Sequence, residues 1–304
     1  MLVTNYICEL KNVCKSYKKK VVLQDVNIRL EKGKIYGFIG KNGAGKTTTM
    51  KIIAGLSFAD RGDIQIFGKE TKKELECARS NIGCMIENPA FSPDMSAKEN
   101  LKALCILFGI RDQGRIDDIL ALIGLENTGK KKVKNFSLGM RQRLGIGMAL
   151  LNNPELLILD EPINGLDPDG IVEIRQLIKK INTEKKTTIL ISSHTLSEIY
   201  LMVDHYIMIS HGKIMEQISQ KELEEKCQKY IRIKNSNTEI VKEILKNKLQ
   251  TEHFQIMEDG TCRLYDYTED VMSVMEAFKD TGINVNEICV KEDSLEEYFF
   301  KRIG

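Results

Sequence analysis

Apolar residues recur along this chain in two rhythms, one of strands and one of helices. Residues 7–13 and 21–30 alternate apolar and polar positions and are rich in β-branched side chains, the pattern of half-buried strands. Residues 35–39, 82–86 and 156–159 are nearly continuous apolar runs and 187–192 reads as a buried-type strand, which predicts strands covered on both faces. Residues 63–68 form a shorter alternating strand that ends in a turn, and 206–210 with 213–218 predict a hairpin around His211-Gly212. Helix-compatible segments separate these strands at 47–56, 72–80, 169–182 and 195–202. From about 88 to 150 the pattern turns wholly helical. Ser96 and Glu99 make a capping box that opens a helix through 107, and 115–123 continues with apolar residues at helical spacing. Buried strands alternating with helices imply a mostly parallel sheet with both faces covered, here interrupted by a helical block.

After about residue 219 the pattern changes. It reads strand 230–234, helix 238–249, strand 254–257, strand 261–267, helix 269–279 and strand 285–290, with Asp259-Gly260 as a tight turn between the middle strands. This βαββαβ order is a small ferredoxin-like α+β arrangement. A last helix, 294–302, places Leu295, Tyr298, Phe299 and Arg302 on one face, which should dock on something. The expected organisation is therefore an α/β domain over 1–218, with its helical subdomain at about 88–150, and an accessory domain over 219–304.

The chain has 304 residues, 42% hydrophobic and 29% charged, ordinary values for a globular protein. Net charge is +2, so composition gives no push towards nucleic acid. The charge is uneven: residues 215–304 carry about −6 and the first 214 about +8, which argues further against a nucleic-acid role for the tail. Part of the basic excess lies in Lys18-Lys19-Lys20 and Lys130-Lys131-Lys132, read as solvated loops. Eight cysteines show neither C-x-x-C spacing nor a histidine at metal-ligand distance, and read as buried free thiols in a reducing compartment. No basic segment followed by an apolar core opens the chain, and no apolar run approaches the ~20 residues of a membrane span.

The chemistry begins at Gly40-Lys41-Asn42-Gly43-Ala44-Gly45-Lys46-Thr47, a glycine, four free positions, then Gly-Lys-Thr. The apolar strand 35–39 precedes it and a helix follows, the context such a phosphate loop needs. Its glycines let successive N–H groups point inward at phosphate oxygens, and the helix start adds free N–H groups and a positive dipole end. Lys46 would reach the β- and γ-phosphates, Thr47 would ligate Mg²⁺, and Thr48 would touch the α/β region. A second half of the site is expected where the apolar strand 156–159 ends in Asp160-Glu161. Asp160 would hold Mg²⁺ through its water shell, and Glu161 would take a proton from the attacking water. Tyr17, on a turn upstream of the phosphate loop, offers a ring to stack on a base.

Further motifs make the pattern specific. Asn135-Phe136-Ser137-Leu138-Gly139-Met140-Arg141-Gln142-Arg143 resembles the signature segment of ATP-binding cassette (ABC) ATPases. Pro162-Ile163-Asn164-Gly165-Leu166-Asp167-Pro168 is similar to that family's loop after the catalytic glutamate, and Ser193-His194 to its switch histidine. The resemblance covers residues 7 to about 218. It implies a P-loop NTPase cassette, a RecA-like core with antiparallel β and helical subdomains, binding ATP and Mg²⁺. It also implies two copies facing head to tail around two ATP molecules. Ser137 and the N–H of Gly139 would then contact the γ-phosphate held on the second copy. His194 would hold the attacking water with Glu161, and Asp167 would sense the partner.

This chain departs from the family in places. Glu87 stands where most members have the glutamine that ligates Mg²⁺, Leu138 replaces a glycine, Met140 a glutamine and Ile163 a threonine. Glu87 can still ligate Mg²⁺, but adds negative charge near phosphate. A glutamate here, with one cassette and a short C-terminal domain, resembles transporters for bacitracin and lanthipeptide-type antibiotics. The resemblance implies an ATP-hydrolysing subunit on the cytoplasmic face of the membrane, bound there by integral permease subunits and serving antibiotic export or self-protection. Phe91 and Met95, apolar just after Glu87, mark an expected groove for a permease helix. A soluble, non-transport ATPase of the same family is the alternative, as is a transporter of another substrate whose tail is a regulatory module. Ribosome-type members carry two cassettes in one chain and DNA-repair members insert long coiled coils, and neither feature is present here.

Overall fold

The computed structural model describes residues 6–87, 89–112, 114–234, 238–257, 259–279, 285–292 and 295–303. Asn88 and Ser294, where the last helix was expected to open, lie outside them. The chain divides into two compact units, one running to Gln220 and taking in the chain again from Phe299, the other Lys221–Tyr298.

The first unit opens with β1 (Tyr6–Tyr17), β2 (Lys20–Glu31), β3 (Ile35–Ile39), α1 (Lys46–Ala54), β4 (Arg61–Ile66), α2 (Lys72–Arg79) and β5 (Ile82–Met85). It continues with α3 (Ala97–Phe108), α4 (Gly114–Leu122), α5 (Leu138–Leu150), β6 (Leu156–Leu159), α6 (Pro168–Lys185), β7 (Thr188–Ser193), α7 (Leu196–Ile199), β8 (His205–Ser210) and β9 (Lys213–Ser219). A six-stranded sheet runs β5-β6-β7-β3-β8-β9. It is parallel except for the β8–β9 hairpin. Every residue of β3, β6 and β7 is buried, the polar Thr188, Ser192 and Ser193 of β7 included. An antiparallel sheet, β2-β1-β4, packs Leu10, Val13, Leu23 and Ile28 into one core with Phe38, Met50 and Ile158 of the larger sheet and α1.

The alternating strands are longer than their apolar pattern suggests. β1 reaches Tyr17 and pairs it with Lys20, so Tyr17 ends a strand instead of sitting on a turn. Backbone pairing continues past the last buried side chain because it needs only N–H and C=O groups. The helix expected over 195–202 is split into the short α7 and a 3-10 turn, Tyr200–Met202. At the chain's end Phe299 is buried edge-on to Tyr206 at 5.8 Å, and Arg302 meets Glu216 at 3.5 Å.

The capping box of α3 is formed as read. Glu99 N–H donates to Ser96 Oγ, and Ser96 N–H donates to the Glu99 carboxylate at 2.7 Å. That N–H, then the Ser96 hydroxyl and Lys132, push the Glu99 carboxyl down from 4.5 to about 2. A carboxyl lowered on folding stabilises the fold above its ordinary range, and that contribution disappears as pH falls from 4.5 towards about 2. Ser96→Ala should therefore cost about 1 kcal/mol at neutral pH in urea unfolding, a deficit that narrows through this acid window. A deficit independent of pH down to that range would detach the Ser96 hydroxyl from the Glu99 carboxylate, the Ser96 N–H bond being kept in this variant.

The second unit holds α8 (Gln220–Lys226, from Lys221), β10 (Lys229–Lys234), α9 (Thr238–Asn247), β11 (Phe254–Ile256), β12 (Thr261–Leu264), α10 (Val271–Lys279) and β13 (Glu287–Glu292), and α11 (Leu295–Ile303) begins in it. Its four strands form an antiparallel sheet ordered β11-β12-β10-β13. Ile231, Ile233, Cys262 and Leu264 pack on Val241, Leu245, Val274 and Phe278 of α9 and α10. The helix α8 is absent from the sequence reading, because its polar run carries Leu223 as its one buried apolar residue.

The cysteines correct a simple expectation. Cys8, Cys105, Cys227 and Cys262 are buried and free, and burial raises the Cys8 and Cys262 thiols to about 12. Cys77 and Cys84, however, are exposed. Apolar neighbours in sequence do not decide which face of a helix or edge strand a residue occupies.

Candidate functional site

The phosphate loop joins β3 to α1 in the middle of the large sheet, with β7 and β8 on either side of β3. Two of its glycines are obligatory. A Cβ on Gly40 would lie 2.4 Å from the Ile209 carbonyl oxygen, and one on Gly45 would lie 2.6 Å from Leu23 while φ is +116°. Gly45 is also the residue from which α1 starts, leaving free N–H groups facing the loop.

Asn42, Gly43, Gly45, Lys46, Thr47 and Thr48 line a cavity of about 490 Å³ together with Lys20, Val21, Val22, Glu161, His211 and Gly212. Gly40, Lys41 and Ala44 are not on its wall. Their part is to shape the turn: Ala44 N–H donates to the Lys41 carbonyl, and Lys46 Nζ donates to the Gly40 carbonyl at 2.6 Å.

The strand-end acids arrive from β6. Thr47 Oγ1 donates to Asp160 Oδ2 at 2.8 Å, and Ser192 Oγ donates to Asp160 Oδ1 at 2.5 Å. Glu161 N–H donates to the same Ser192 hydroxyl at 2.8 Å. Ser192 thus aims both acids, a role missed in the sequence reading. Its signal was a serine near the end of a buried strand, where a polar side chain needs a partner. Glu161 is held at φ +48°, a left-handed conformation that non-glycine residues seldom adopt and that concentrates at functional sites. Its carboxylate lies 3.3 Å from Lys46 Nζ and 2.9 Å from His194 Nδ1. The chain therefore brings Lys46, Thr47, Asp160, Glu161 and His194 together.

Asp160 is 6% exposed, and with the Thr47 hydroxyl it offers two hard oxygen donors beside the phosphate loop. Such a pair suits a small hard divalent cation that completes its shell with phosphate oxygens and water. Among the described residues no group of three or more His, Cys, Asp or Glu forms an all-protein metal cage.

Other predicted residues stand apart from the cavity. Tyr17 is 47% exposed, its hydroxyl 3.2 Å from Ser57 Oγ and its ring 5.2 Å from Lys15 Nζ. Glu87 is not on the cavity wall either. It follows β5 at φ +63°, and its carboxylate takes a 2.5 Å bond from Lys51 Nζ. Ser137 caps α5 by accepting from Met140 N–H at 3.2 Å. A Cβ on Gly139 would approach Leu166 at 3.8 Å, an ordinary contact, so this signature segment adjoins the loop before Asp167. Asp167 itself caps α6, accepting from Gly170 N–H.

A second concave surface of about 470 Å³ lies between the sheet and the helical block. Leu56, Ile86, Pro89, Leu104, Phe108 and Met148 contribute to its apolar wall. Phe91 and Met95 do not line it, although Met95 is 40% exposed. Among the described residues no helix is long and apolar enough to cross a membrane.

Residues 23–164 match the family model described as "ABC transporter". The bacitracin transport ATP-binding protein BcrA of Enterococcus faecalis is 39% identical over 304 residues, covering 100% of this chain and 98% of that protein. The lantibiotic transport ATP-binding protein SrtF of Streptococcus pyogenes is 45% identical over 208 residues, covering 68% of this chain and 88% of that protein. Among solved structures, a dimeric ATP-binding cassette in a post-hydrolysis state with ADP and Pi aligns with a TM-score of 0.63 at 27% identity, covering 70% of this chain and 98% of that one. With a relative at this identity matched almost end to end, and with a phosphate loop, strand-end acids and histidine gathered at one cavity, the chain belongs to the ATP-binding, ATP-hydrolysing subunits of ABC transporters.

Proposed function

We propose that this chain energises a transporter that exports, or protects its host from, a peptide antibiotic of the bacitracin or lantibiotic type. One observation carries this reading: the similarity to a bacitracin transport protein spans 98% of that protein and so runs through the C-terminal unit as well as the cassette. Similarity confined to a cassette would be shared with transporters of many cargoes.

In this reading the ATP phosphates lie against Asn42, Gly43 and Gly45 to Thr48, where N–H groups and the α1 dipole meet them. Lys46 leaves the Gly40 carbonyl and Glu161 for the β- and γ-phosphates. Glu161, released from its ion pair, accepts the proton of the attacking water, which His194 holds in line. Thr47, Asp160 and Glu87 would hold Mg²⁺, which would supply neutralisation of the phosphate charge. Tyr17 would stack on the adenine. Ser137 and Gly139 lie off their own chain's cavity wall, which supports their serving the γ-phosphate of a second copy.

The apolar concave surface suits the amphipathic cytoplasmic helix of a permease. Leu56 and Phe108 on it are 63% and 53% exposed, more than a monomer's interior packing would leave. Permease binding would hold the chain at the cytoplasmic face of the membrane. The 219–304 region is assigned as a ferredoxin-like accessory domain, a reading supported by its antiparallel strand order with two helices on one face. No nucleic-acid role is assigned to it.

Coexpression with the membrane proteins encoded beside its gene should raise the concentration of bacitracin or a lantibiotic that the cells survive. Leu56→Glu with Phe108→Glu should cancel that protection and the co-purification with the membrane partner, circular dichroism showing the chain still folded. Unchanged survival on coexpression would remove the antibiotic assignment. Unchanged co-purification of the double variant would remove the docking surface.

A further inference from the structure

Lys51 belongs to none of the recognised motifs, yet it holds Glu87. It lies four residues after Thr47 on α1, so the two side chains share one helix face about one turn apart, roughly 6 Å along the axis. Lys51 Nζ donates to Glu87 Oε1 at 2.5 Å, with the two side chains 30% and 64% exposed. A pair this exposed contributes little to stability. Glu87 nevertheless keeps the sparsely populated φ of +63° at the end of β5. A neutral glutamine at this position would need no cation, whereas a carboxylate beside a triphosphate does, since like charges repel strongly where water is scarce.

We propose that Lys51 is a latch for Glu87. It neutralises the carboxylate and ties it to α1, off the cavity wall that Thr47 lines. ATP together with Mg²⁺ takes Glu87 from it, while ATP alone does not. Lys51 is thus a positioning residue acting through Glu87, and this assignment rests on the nucleotide-site reading above. The exchange also links the two concave surfaces. Leu56, just past the end of α1, and Ile86, the neighbour of Glu87, both line the apolar one, so release of the latch frees a tie between the phosphate-loop helix and the segment entering the helical block.

Amine labelling tests this directly. The full chain is exposed briefly to an acetylating reagent without nucleotide, with ATP and EDTA, and with ATP and Mg²⁺, and the label on Lys51 is read by mass spectrometry. Lys51 should label slowly in the first two states and roughly fivefold faster with Mg²⁺ and ATP, the scale of a partly exposed ion pair. In Glu87→Gln it should label fast in all three. Equal Lys51 labelling in parent and Glu87→Gln, or continued protection of Lys51 with Mg²⁺ and ATP, overturns the latch. Retention of radiolabelled ATP by the same chain reports separately on the site itself, because Lys46 is 5% exposed and labels slowly in every state. If no ATP is retained, the nucleotide-site reading falls and the latch's trigger falls with it; if ATP is retained and Lys51 does not respond, the latch alone fails.

Discussion

Glu161→Gln is expected to slow ATP hydrolysis by roughly 10²–10⁴-fold, the contribution of a well-placed general base. The substitution keeps the shape of the side chain and its hydrogen bond to His194, and it leaves Asp160, Thr47 and the loop untouched. It removes the carboxylate placed to accept the water proton, Asp160 being already occupied by the Thr47 and Ser192 hydroxyls. Binding should survive, because the proposed phosphate contacts are those of the loop backbone and Lys46. Lys46 even loses a competing anion, its 3.3 Å partner. ATP should therefore accumulate unhydrolysed and closed dimers should persist in size-exclusion chromatography. Turnover within a few-fold of the parent would take the base away from Glu161.

Mixing two dead variants should restore activity if the reaction chamber is shared between copies. Ser137→Arg places a bulky cation where the signature serine would meet the second copy's phosphate, and alone it should be inactive. In a dimer of one Glu161→Gln copy and one Ser137→Arg copy, both lesions fall in one chamber. The other chamber receives an intact Glu161 from the second and an intact Ser137 from the first. With random pairing before ATP is added, an equal mixture should show about a quarter of parental hydrolysis, as a two-fold symmetric dimer demands. Loss of the Ser137 cap costs about 1 kcal/mol, so the variant's folding is checked first. A mixture as silent as its components, or full hydrolysis by a strictly monomeric chain, would end the shared-chamber reading.

The buried strands β3 and β6 were legible because burial on both faces leaves a nearly continuous apolar run that few other structures produce. The α3 cap was legible because serine and glutamate three apart satisfy each other's backbone donors locally. Strand ends were less legible: β12 stops at Leu264, short of the expected 267, and α10 begins at Val271, later than the expected 269. Propensity changes gradually across such boundaries, whereas pairing partners do not.

The order of motifs along the chain pointed to an ABC cassette, because the signature segment, the loop after Glu161 and the switch histidine follow the phosphate loop in the family's order and spacing. What no local pattern contains is the meeting of groups far apart in sequence. Ser192 reaches both Asp160 and Glu161 only because β6 and β7 are parallel neighbours in register. Lys51 meets Glu87 only because α1 and the end of β5 come together in space. Glu161 owes its left-handed backbone and its place between Lys46 and His194 to three strands ending at one edge of the sheet. Local chemistry is written in adjacent residues, but its partners are chosen by sheet order, which follows from how all the apolar faces are buried at once.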